Sequence, residues 1–395
     1  MSVSSPAPDV PFPAPLPGPV DVLILAGEHS GDEQAARMVA SLLRRAPGTR
    51  VAAVGGPRLA AAGAQLLHDL TARSVVGFVE VLRNSPYFLS IIRETVRWIG
   101  EHRPAVVCFV DNPGLNLRVA RALAKARISR QGGGTVRTVY YISPQVWAWK
   151  PRRRFAMARV LDALAVIFPF EVKSYADTGL PVQFVGHPFV APDFVPSLVH
   201  LSTAPVLLLP GSRTAAVGRI APVLLDGFAA FLRRDPEARA QMIYPSRQVR
   251  AQLEAELTLR PSLAGRVVLQ SNESPAAASA VLTSSGTMSL MCALAAIPGA
   301  IAYRLNPVTY FFGRYLVTVP YIGIANLLLP QPIYPEFLQS AARPQVLAAE
   351  LADCRENRSR VELTRQLSMQ LRQVLSGPAQ KDAADWLGEQ ILQAR

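Results

Sequence analysis

The sequence contains little cysteine and little charge, with three cysteines and 17% charged residues in a chain of 395. Cys108, Cys292 and Cys354 stand far apart and form no CxxC spacing, which excludes a zinc site of paired cysteines and disfavours a disulfide framework. We therefore expect a protein of a reducing compartment, without a metal site, whose cysteines fill apolar interior.

The N-terminal segment lacks the basic and apolar regions of a secretory signal peptide. Residues 1–20 are instead rich in proline, serine and alanine, and we expect a disordered tail. A convincing membrane span is also missing. The uncharged run 275–303 is broken by small polar residues at 283–287 and by Pro298-Gly299, a pattern that predicts strand, loop, helix and turn in a buried core. The expected location is cytoplasmic.

Acidic residues are outnumbered, with 28 Asp and Glu against 41 Lys and Arg, giving a net charge of +13. This surplus favours anionic partners such as phosphates, acidic lipids or nucleic acid. No RNA- or DNA-binding motif accompanies it, so nucleic acid is not an expected partner.

Short apolar runs alternate with helical patterns along most of the chain. Residues 21–26, 105–110 and 163–167 are typical of strands buried on both faces, and the alternation resumes at 206–209 after a proline-rich stretch. The pattern predicts an α/β protein with two doubly wound parallel sheets. The predicted parts are a tail at 1–20, a first domain at 21–190, a second at 191–345, and C-terminal helices at 346–395 that pack on the first domain or on a partner subunit.

The first predicted strand leads into the loop AGEHSGD (Ala26–Asp32). Its glycines permit tight backbone geometry, and the following helix N-terminus suits an anion. The loop is not GxGxxG, which disfavours a dinucleotide site. It is either a substrate-binding loop or an ordinary strand-to-helix turn in which Asp32 is the N-cap of the helix.

A later predicted strand, 105–110, is followed by DNPGLN (Asp111–Asn116). Asp111 then lies just beyond the carboxyl edge of a parallel sheet, where open α/β sheets carry their sites. A carboxylate there is suited to take a proton from an attacking hydroxyl. The alternative is that Asp111 and Asn116 cap the next helix.

The segment SPQVWAWKPRRR (Ser143–Arg154) places two tryptophans beside four cations, again directly after a strand. This composition suits a sugar-and-phosphate surface or a membrane interface. A helix start with one tryptophan packed in the core is the third interpretation.

Two loops of the second domain have the same position between a strand and a helix. LPGSR (Leu209–Arg213) and SSGT (Ser284–Thr287) each end a strand and open a helix. Together they are suited to hold one phosphorylated ligand from two sides, with Arg213 as a charged clamp.

These motifs, taken in order, resemble the lipid-A-disaccharide synthases. The resemblance covers about residues 21–339. It rests on AGEHSGD, VVGFVEVL (75–82), DNPGLN, SPQVWAWK, GHP (186–188), PGSR, SSGT, NLL (326–328) and PEFLQ (335–339).

The resemblance implies a GT-B fold, in which an acceptor-binding and a nucleotide-binding Rossmann-like domain face a cleft. The implied reaction is inverting, metal-independent and free of cofactors. It transfers 2,3-diacylglucosamine from UDP to 2,3-diacylglucosamine 1-phosphate and forms the β-1,6 disaccharide. It also implies a peripheral protein of the cytoplasmic face of the inner membrane, with a homodimer as one arrangement.

The resemblance further implies roles for individual residues. Asp111 matches the catalytic base. The implied acceptor-side residues are Glu28, Ser30, Gly31, Asp32, Asn116, Ser143, Trp147, Trp149 and His187. The implied donor-side residues are Gly211, Ser212, Arg213, Ser285, Gly286, Thr287, Asn326 and Glu336.

The donor half departs from the family pattern. Ala216 and Met291 stand where the family has glutamates, and the latter glutamate is the one expected to bond the ribose hydroxyls. Three interpretations follow: a divergent synthase, a transferase with another donor, or a non-catalytic lipid- or nucleotide-sugar-binding paralogue. An epimerase of related shape fits the motifs less well.

The stretch 310–334 is rich in aromatics and nearly uncharged. It is expected either to contact acyl chains or the membrane, or to pack against protein.

Overall fold

The computed structural model describes residues 11–74, 86–272, 274–304, 319–377 and 381–395. The chain divides into two compact units. The first unit comprises Met1–Pro188 together with Gly377–Arg395, and the second comprises Phe189–Ser376.

The first unit is built on a seven-stranded sheet in the order β3-β2-β1-β4-β5-β6-β7, with every neighbouring pair parallel. Its strands are β1 (Val22–Ala26), β2 (Val51–Gly55), β3 (Gln65–Asp69), β4 (Val106–Val110), β5 (Arg137–Tyr141), β6 (Ala163–Val166) and β7 (Val182–Phe184). All residues of β1, β2, β4 and β6 are buried, as continuous apolar runs require when helices cover both faces of a sheet.

Helices follow most of these strands. They are α1 (His29–Arg45), α2 (Pro57–Ala61), α3 (Thr71–Ser74), α4 (Pro86–His102), α5 (Pro113–Lys125) and α6 (Arg153–Ala158), with α13 (Ala383–Leu392) added from the C-terminus. Helix α4 buries Ile91, Trp98 and Ile99 in the core. Each such side chain contributes about 1.5–3 kcal/mol to the free energy of unfolding.

The described part of the N-terminal tail is attached to this unit. Phe12 is buried and its amide donates to Glu94 Oε1 at 2.7 Å, while Trp98 Nε1 donates to the Pro13 carbonyl at 2.9 Å. The expectation of disorder is therefore wrong for residues 11–20, because an aromatic anchor and hydrogen bonds offset the small entropy that a proline-rich chain loses. Residues 1–10 lie outside the described residues.

The second unit contains a six-stranded parallel sheet in the order β11-β10-β9-β13-β14-β15 and a separate parallel pair, β8 with β12. Its strands are β8 (Leu198–His200), β9 (Val206–Leu209), β10 (Ala240–Tyr244), β11 (Val267–Ser271), β12 (Ala276–Ala278), β13 (Val281–Thr283), β14 (Gly299–Tyr303) and β15 (Glu336–Leu338). The prediction of two doubly wound parallel sheets is confirmed.

Six helices are described in the second unit. They are α7 (Thr214–Phe231), α8 (Arg247–Thr258), α9 (Thr287–Leu294), α10 (Ile324–Leu328), α11 (Pro344–Glu356) and α12 (Arg358–Ser376). In the described part of the chain, α7 is the one helix long and apolar enough to cross a bilayer, judged by length and composition. It buries Leu224, Phe228 and Phe231 in the core of the unit, as core helices do. The run 275–303 folds into β12, β13, α9 and β14, as its breaks predict.

The last helix returns to the first unit, whereas α11 and α12 belong to the second, so the predicted C-terminal segment 346–395 is shared between them. Arg45 of α1 donates to Asp382 Oδ1 at 2.9 Å and also pairs with Asp385. Arg137 of β5 donates to Gln390 Oε1 at 2.8 Å. These contacts fix α13 to both a helix and a strand of the first unit.

Candidate active-site residues

In the first unit, two motif loops start side by side. Strands β1 and β4 are neighbours, and their register pairs Ala26 with Val110. From β1 the sheet continues to β2 on one side, and from β4 it continues to β5 on the other. The loops AGEHSGD and DNPGLN therefore flank the switch point of the sheet, where open α/β sheets form crevices for ligands.

The two loops touch at glycine positions. A Cβ on Gly27 would lie 2.3 Å from Asn112 Nδ2, so no larger residue fits there without a shift. A Cβ on Gly31 would lie 3.8 Å from Asp111 Cβ, an ordinary contact. Gly27 thus lets the first loop approach Asn112, the residue that follows the predicted base.

Asp111 has an unusual and well-supported backbone. It and Asn112 adopt φ values of 48° and 39°, in the left-handed region that few non-glycine residues occupy. The Asp111 amide donates to the Tyr141 carbonyl at 3.1 Å, and its carbonyl accepts from Asn116 Nδ2 at 2.7 Å and from the Tyr140 hydroxyl. Such conformations persist when the surroundings fix them, and they cluster at functional sites. The half-buried Asp111 side chain is thereby held at the sheet edge.

The supports of Asp111 are themselves buried. Burial raises the pKa of Tyr140 well above its ordinary value, and the nearby Asp111 raises it further, so the phenol stays protonated and able to donate. Asn112 is the N-cap of α5, with its side chain accepting from the Leu115 amide at 3.4 Å. The interpretation that Asp111 and Asn116 cap this helix is therefore wrong.

Asp32 stabilises a neighbouring helix. Its buried carboxylate accepts from the amides of Gly56 at 2.8 Å and Arg58 at 3.1 Å, at the N-terminus of α2. Helix α1 begins at His29, so the interpretation of Asp32 as the N-cap of its own helix is wrong. Glu28 is half-buried and Ser30 is exposed, so both remain accessible at the start of α1.

The loop after β5 is fixed to the segment that follows β6. Ser143 Oγ lies 2.7 Å from the Tyr175 hydroxyl, and both groups are buried. Trp147 Nε1 donates to Glu171 Oε1 at 3.3 Å, and its ring meets Phe170 edge-on at 5.2 Å. Trp149, two residues on, leaves 46% of its surface exposed.

Burial shifts the pKa values of two ionisable groups near this loop in the direction that favours their neutral forms. Burial raises the pKa of Glu171 to about 8, although hydrogen bonds from the Phe168 amide and Trp147 oppose the shift. Burial lowers the pKa of His187 to about 3, and its ring lies 5.3 Å from that of Phe168. His187 therefore presents a neutral imidazole.

In the second unit, the PGSR and SSGT loops also start side by side. The register pairs Leu209 with Thr283, and the Ser284 amide donates to the Leu209 carbonyl at 2.8 Å. Gly211 adopts a φ of 108°, and a Cβ there would lie 3.3 Å from Ser284 Oγ. Because β9 connects towards β10 and β13 towards β14, these loops flank the switch point of the second sheet.

The surroundings of this second switch point favour an anion. The loops open α7 and α9, and neither helix has an acidic residue in its first turn. Helix N-termini carry unpaired amides and a partial positive charge. Ser285 is half-buried, and the other loop residues with exposed backbone or side chains are Ser212, Arg213, Gly286 and Thr287.

Asn326 and Glu336 form an internal network instead of an open surface. Asn326 Nδ2 donates to Glu336 Oε1 at 2.8 Å, and Asn326 Oδ1 accepts from the amides of Ile333 and Tyr334 at 3.0 and 3.1 Å. Glu336 also accepts from the Gly323 amide at 2.9 Å. These contacts fix the chain between α10 and β15.

The apolar stretch 310–334 is described only in part. Tyr334 is fully buried, and its hydroxyl donates to the Ile297 carbonyl at 2.7 Å. For this residue the prediction of membrane contact is wrong, because its ring belongs to the core of the second unit. Phe311, Phe312 and Tyr315 lie outside the described residues.

The two positions that depart from the family pattern have apolar surroundings. Ala216, in the first turn of α7, packs against the core of the second unit. Met291 lines a small pocket together with Phe189, Phe194 and Leu294. Arg372 lines the same pocket and is its positively charged residue.

Sequence reasoning missed the residues that support the predicted ones. Tyr140 holds the Asp111 backbone, and Glu171 and Tyr175 hold the loop after β5. Glu171 and Tyr175 follow the carboxyl end of β6, so the strand-end rule that found Asp111 applies to them as well. Among the described residues, no three His, Cys, Asp or Glu side chains group as metal ligands would.

Comparison with known proteins agrees with this geometry. A family model described as lipid-A-disaccharide synthetase matches residues 22–391. The chain belongs to this family. The lipid-A-disaccharide synthase of Nitrosococcus oceani is 34% identical over 379 residues, covering 92% of this chain and 94% of the relative. That of Neisseria gonorrhoeae is 35% identical over 387 residues, covering 94% and 95%.

Solved structures with far lower identity share the fold. A putative UDP-N-acetylglucosamine 2-epimerase from Listeria monocytogenes has a TM-score of 0.61 at 12% identity, covering 95% of this chain and 96% of its own. MurG of Acinetobacter baumannii has a TM-score of 0.51 at 14% identity, covering 94% and 99%. The predicted family and the predicted GT-B fold are both confirmed.

Proposed function

We propose that this glycosyltransferase uses Asp111 as the base that activates the acceptor hydroxyl. Family membership makes the protein a hexosyltransferase that forms the lipid A disaccharide from a nucleotide-sugar donor and a lipid acceptor. The observation that carries the assignment is the position of Asp111 at the switch point, with its backbone held by Asn116 and Tyr140.

In the proposed step, the acceptor oxygen attacks the anomeric carbon while Asp111 takes its proton. The new bond is the glycosidic C–O bond, the bond that breaks joins the anomeric carbon to the diphosphate, and UDP leaves with the electron pair. The configuration inverts because attack comes from the face opposite the leaving group. A positioned general base contributes roughly 10²–10⁴-fold to such a rate.

The proposed donor site is the second switch point. The amides at the N-termini of α7 and α9 and the guanidinium of Arg213 are suited to the charge that develops on departing UDP. Gly211, Ser212, Ser285, Gly286 and Thr287 supply loops without bulky side chains. Asn326 and Glu336 act by fixing the neighbouring chain.

The proposed donor is UDP-2,3-diacylglucosamine and the proposed acceptor is 2,3-diacylglucosamine 1-phosphate. An acceptor with two acyl chains resides in a membrane, so we place the protein at the cytoplasmic face of the inner membrane as a peripheral protein. The net charge of +13 supports association with acidic lipid and phosphate.

The test is turnover of the purified full chain in mixed micelles, following UDP release and disaccharide formation. Asp111→Asn keeps the size of the side chain but removes the basic carboxylate, so we expect kcat to fall by roughly 10²–10⁴-fold. Glu101→Gln, an exposed carboxylate on α4, is the matched control. Wild-type kcat in a folded Asp111→Asn protein would overturn the assignment.

The surroundings of Met291 favour one alternative, transfer from a different donor. The thioether lines an apolar pocket and offers no strong acceptor to ribose hydroxyls. Wild-type turnover with the diacylglucosamine donor would exclude this alternative. No product from that donor, together with product from another UDP-sugar, would support it.

A further inference from the structure

Apolar and basic side chains are exposed on three pieces of the first unit that contact one another. The pieces are the loop after β5, helix α6 and the 3₁₀ segment Pro169–Tyr175. Trp149, Phe155 and Val172 leave 46%, 39% and 36% of their surfaces exposed. The Trp149 surface consists of Trp149, Lys150, Arg152, Phe155, Val172 and Lys173.

Contacts beneath this surface hold the three pieces against one another. Trp147 ties the loop to the 3₁₀ segment through Glu171 and Phe170. Arg154 of α6 pairs with Asp177 at 2.6 Å, and the Tyr175 hydroxyl lies 3.5 Å from Met157 Sδ. The exposed side chains therefore stand on a supported base.

The charge of the Trp149 surface is positive. No ion pair within the described parts of the chain neutralises Lys150, Arg152 or Lys173, and the Lys150 ammonium lies 5.1 Å from the Trp149 ring centroid. The neighbouring Asp177 is engaged by Arg154. Glu171 is buried, and burial raises its pKa to about 8, which reduces the negative charge it contributes at neutral pH.

We propose that the Trp149 surface docks on an anionic lipid bilayer. Indole and phenyl rings are favoured at the level of the headgroups, and exposed cations are attracted to acidic lipid. A free phosphate would use the cations but would gain nothing from Phe155 and Val172. The inference rests on the proposed lipid acceptor, because Ser143 and Trp147 of the same loop are among the predicted acceptor-side residues.

The first experiment uses tryptophan fluorescence. The chain has four tryptophans, of which Trp98 and Trp386 are buried and Trp147 is half-buried. We expect vesicles of phosphatidylglycerol and phosphatidylcholine with brominated acyl chains to quench Trp149, and Trp149→Phe to abolish that quenching. Equal quenching in Trp149→Phe would overturn the assignment of this surface.

The second experiment reverses charge. Each cation near an acidic surface contributes about 1 kcal/mol, or about fivefold in partitioning, so we expect K150E/R152E/K173E to lower vesicle binding by at least about 100-fold. The control is R233E/R247E/R358E, which changes the net charge equally at exposed positions of the second unit. Equal losses in both triple variants would overturn the proposal, because net charge alone would then explain binding.

Two further measurements distinguish docking of the Trp149 surface on a bilayer from binding at a phosphate site or at the proposed active site. Pyrophosphate should displace the protein from vesicles no better than sodium chloride of the same ionic strength; displacement at much lower concentration would identify a phosphate site and overturn the proposal. Asp111→Asn should bind vesicles like the wild type. Lost turnover with retained vesicle binding in Asp111→Asn supports both proposals. Wild-type turnover in Asp111→Asn, together with lost vesicle binding in K150E/R152E/K173E, contradicts only the proposed base.

Discussion

At the first switch point the backbone is held by side chains, whereas at the second it is shaped by small residues. Asp111 sits in a left-handed conformation with Asn116 and Tyr140 on its carbonyl. Gly211 and Gly286 adopt φ values of 108° and 131° with exposed loops around them. A carboxylate that must meet one proton needs an exact position, while a diphosphate can be met by several amides. The two sites therefore differ in what a substitution should damage.

Among variants that keep Asp111, the largest effect should come from loosening the first switch point. Tyr140→Phe removes the hydroxyl that supports the Asp111 carbonyl, and a misplaced catalytic group can cost about 100-fold in rate. We expect kcat to fall by roughly 10–100-fold while both KM values change little. Steady-state kinetics measure this split.

The matched control for Tyr140→Phe is Thr95→Val. It removes another buried hydroxyl of the first unit, one that donates to the Ile91 carbonyl at 2.7 Å. Its kcat should equal that of the wild type. A normal kcat in a folded Tyr140→Phe protein would show that the rigidity of the first switch point is dispensable.

An intermediate effect should come from adding a contact at the second site. Met291→Glu restores a carboxylate suited to ribose hydroxyls, and a charge-assisted hydrogen bond of about 1.5–3 kcal/mol would lower the donor KM by at least about tenfold. The kcat should stay constant if the contact is equal in the ground and transition states. Met369→Glu, on an exposed part of α12, is the control. An unchanged donor KM would indicate that Arg372, which lines the same pocket, captures the new carboxylate.

The smallest effect concerns the pH dependence of stability in the first unit. Glu171 has a folded-state pKa of about 8 against an ordinary value of 4.5, so between these values the folded state keeps a proton that the unfolded state has lost. Raising the pH through this window therefore destabilises the fold. In the wild type, the loss of this proton should lower the free energy of unfolding by about 1 kcal/mol between pH 6.5 and 7.5. In Glu171→Gln this decrease should be absent.

Urea unfolding at several pH values measures this slope. His187, whose folded-state pKa is about 3, acts oppositely, and its contribution is lost as the pH falls below about 6.5. The window above pH 6.5 therefore separates the effect of Glu171 from that of His187. Identical slopes in the variant and the wild type would place the titrating group elsewhere.

The sequence was sufficient to predict the features that recur along the chain, which are the buried strands and the loops at their ends. Apolar runs predicted the buried strands, and the rule that sites follow strand ends brought Asp111 and the PGSR and SSGT loops to switch points. It was insufficient where one side chain has several local partners. Asn112 caps α5, whereas Asp111 and Asn116 do not. The sequence could not predict this choice, because the fold determines which side-chain oxygen faces the free amides at the start of the helix.

Contacts between residues far apart in the chain were the second kind of feature that the sequence did not predict. The sequence predicted that C-terminal helices pack on the first domain or on a partner subunit, but periodicity did not show that α13 alone would contact α1 and β5. Nor did it show the attachment of Phe12 to Glu94, which lies far away in the chain. Asp32 shows the same limit on a smaller scale. Its motif indicated a ligand or its own helix, and its partners are amides of α2.

The return of α13 has a consequence for synthesis on the ribosome. The second unit is one continuous stretch, Phe189–Ser376, and its residues have all been made before α13 exists. The first unit begins to emerge earlier but lacks Asp382, Asp385 and Gln390 until the segment that contains α13 has been made. Although domains usually complete folding from the N-terminus onward, here the half that begins first is completed last.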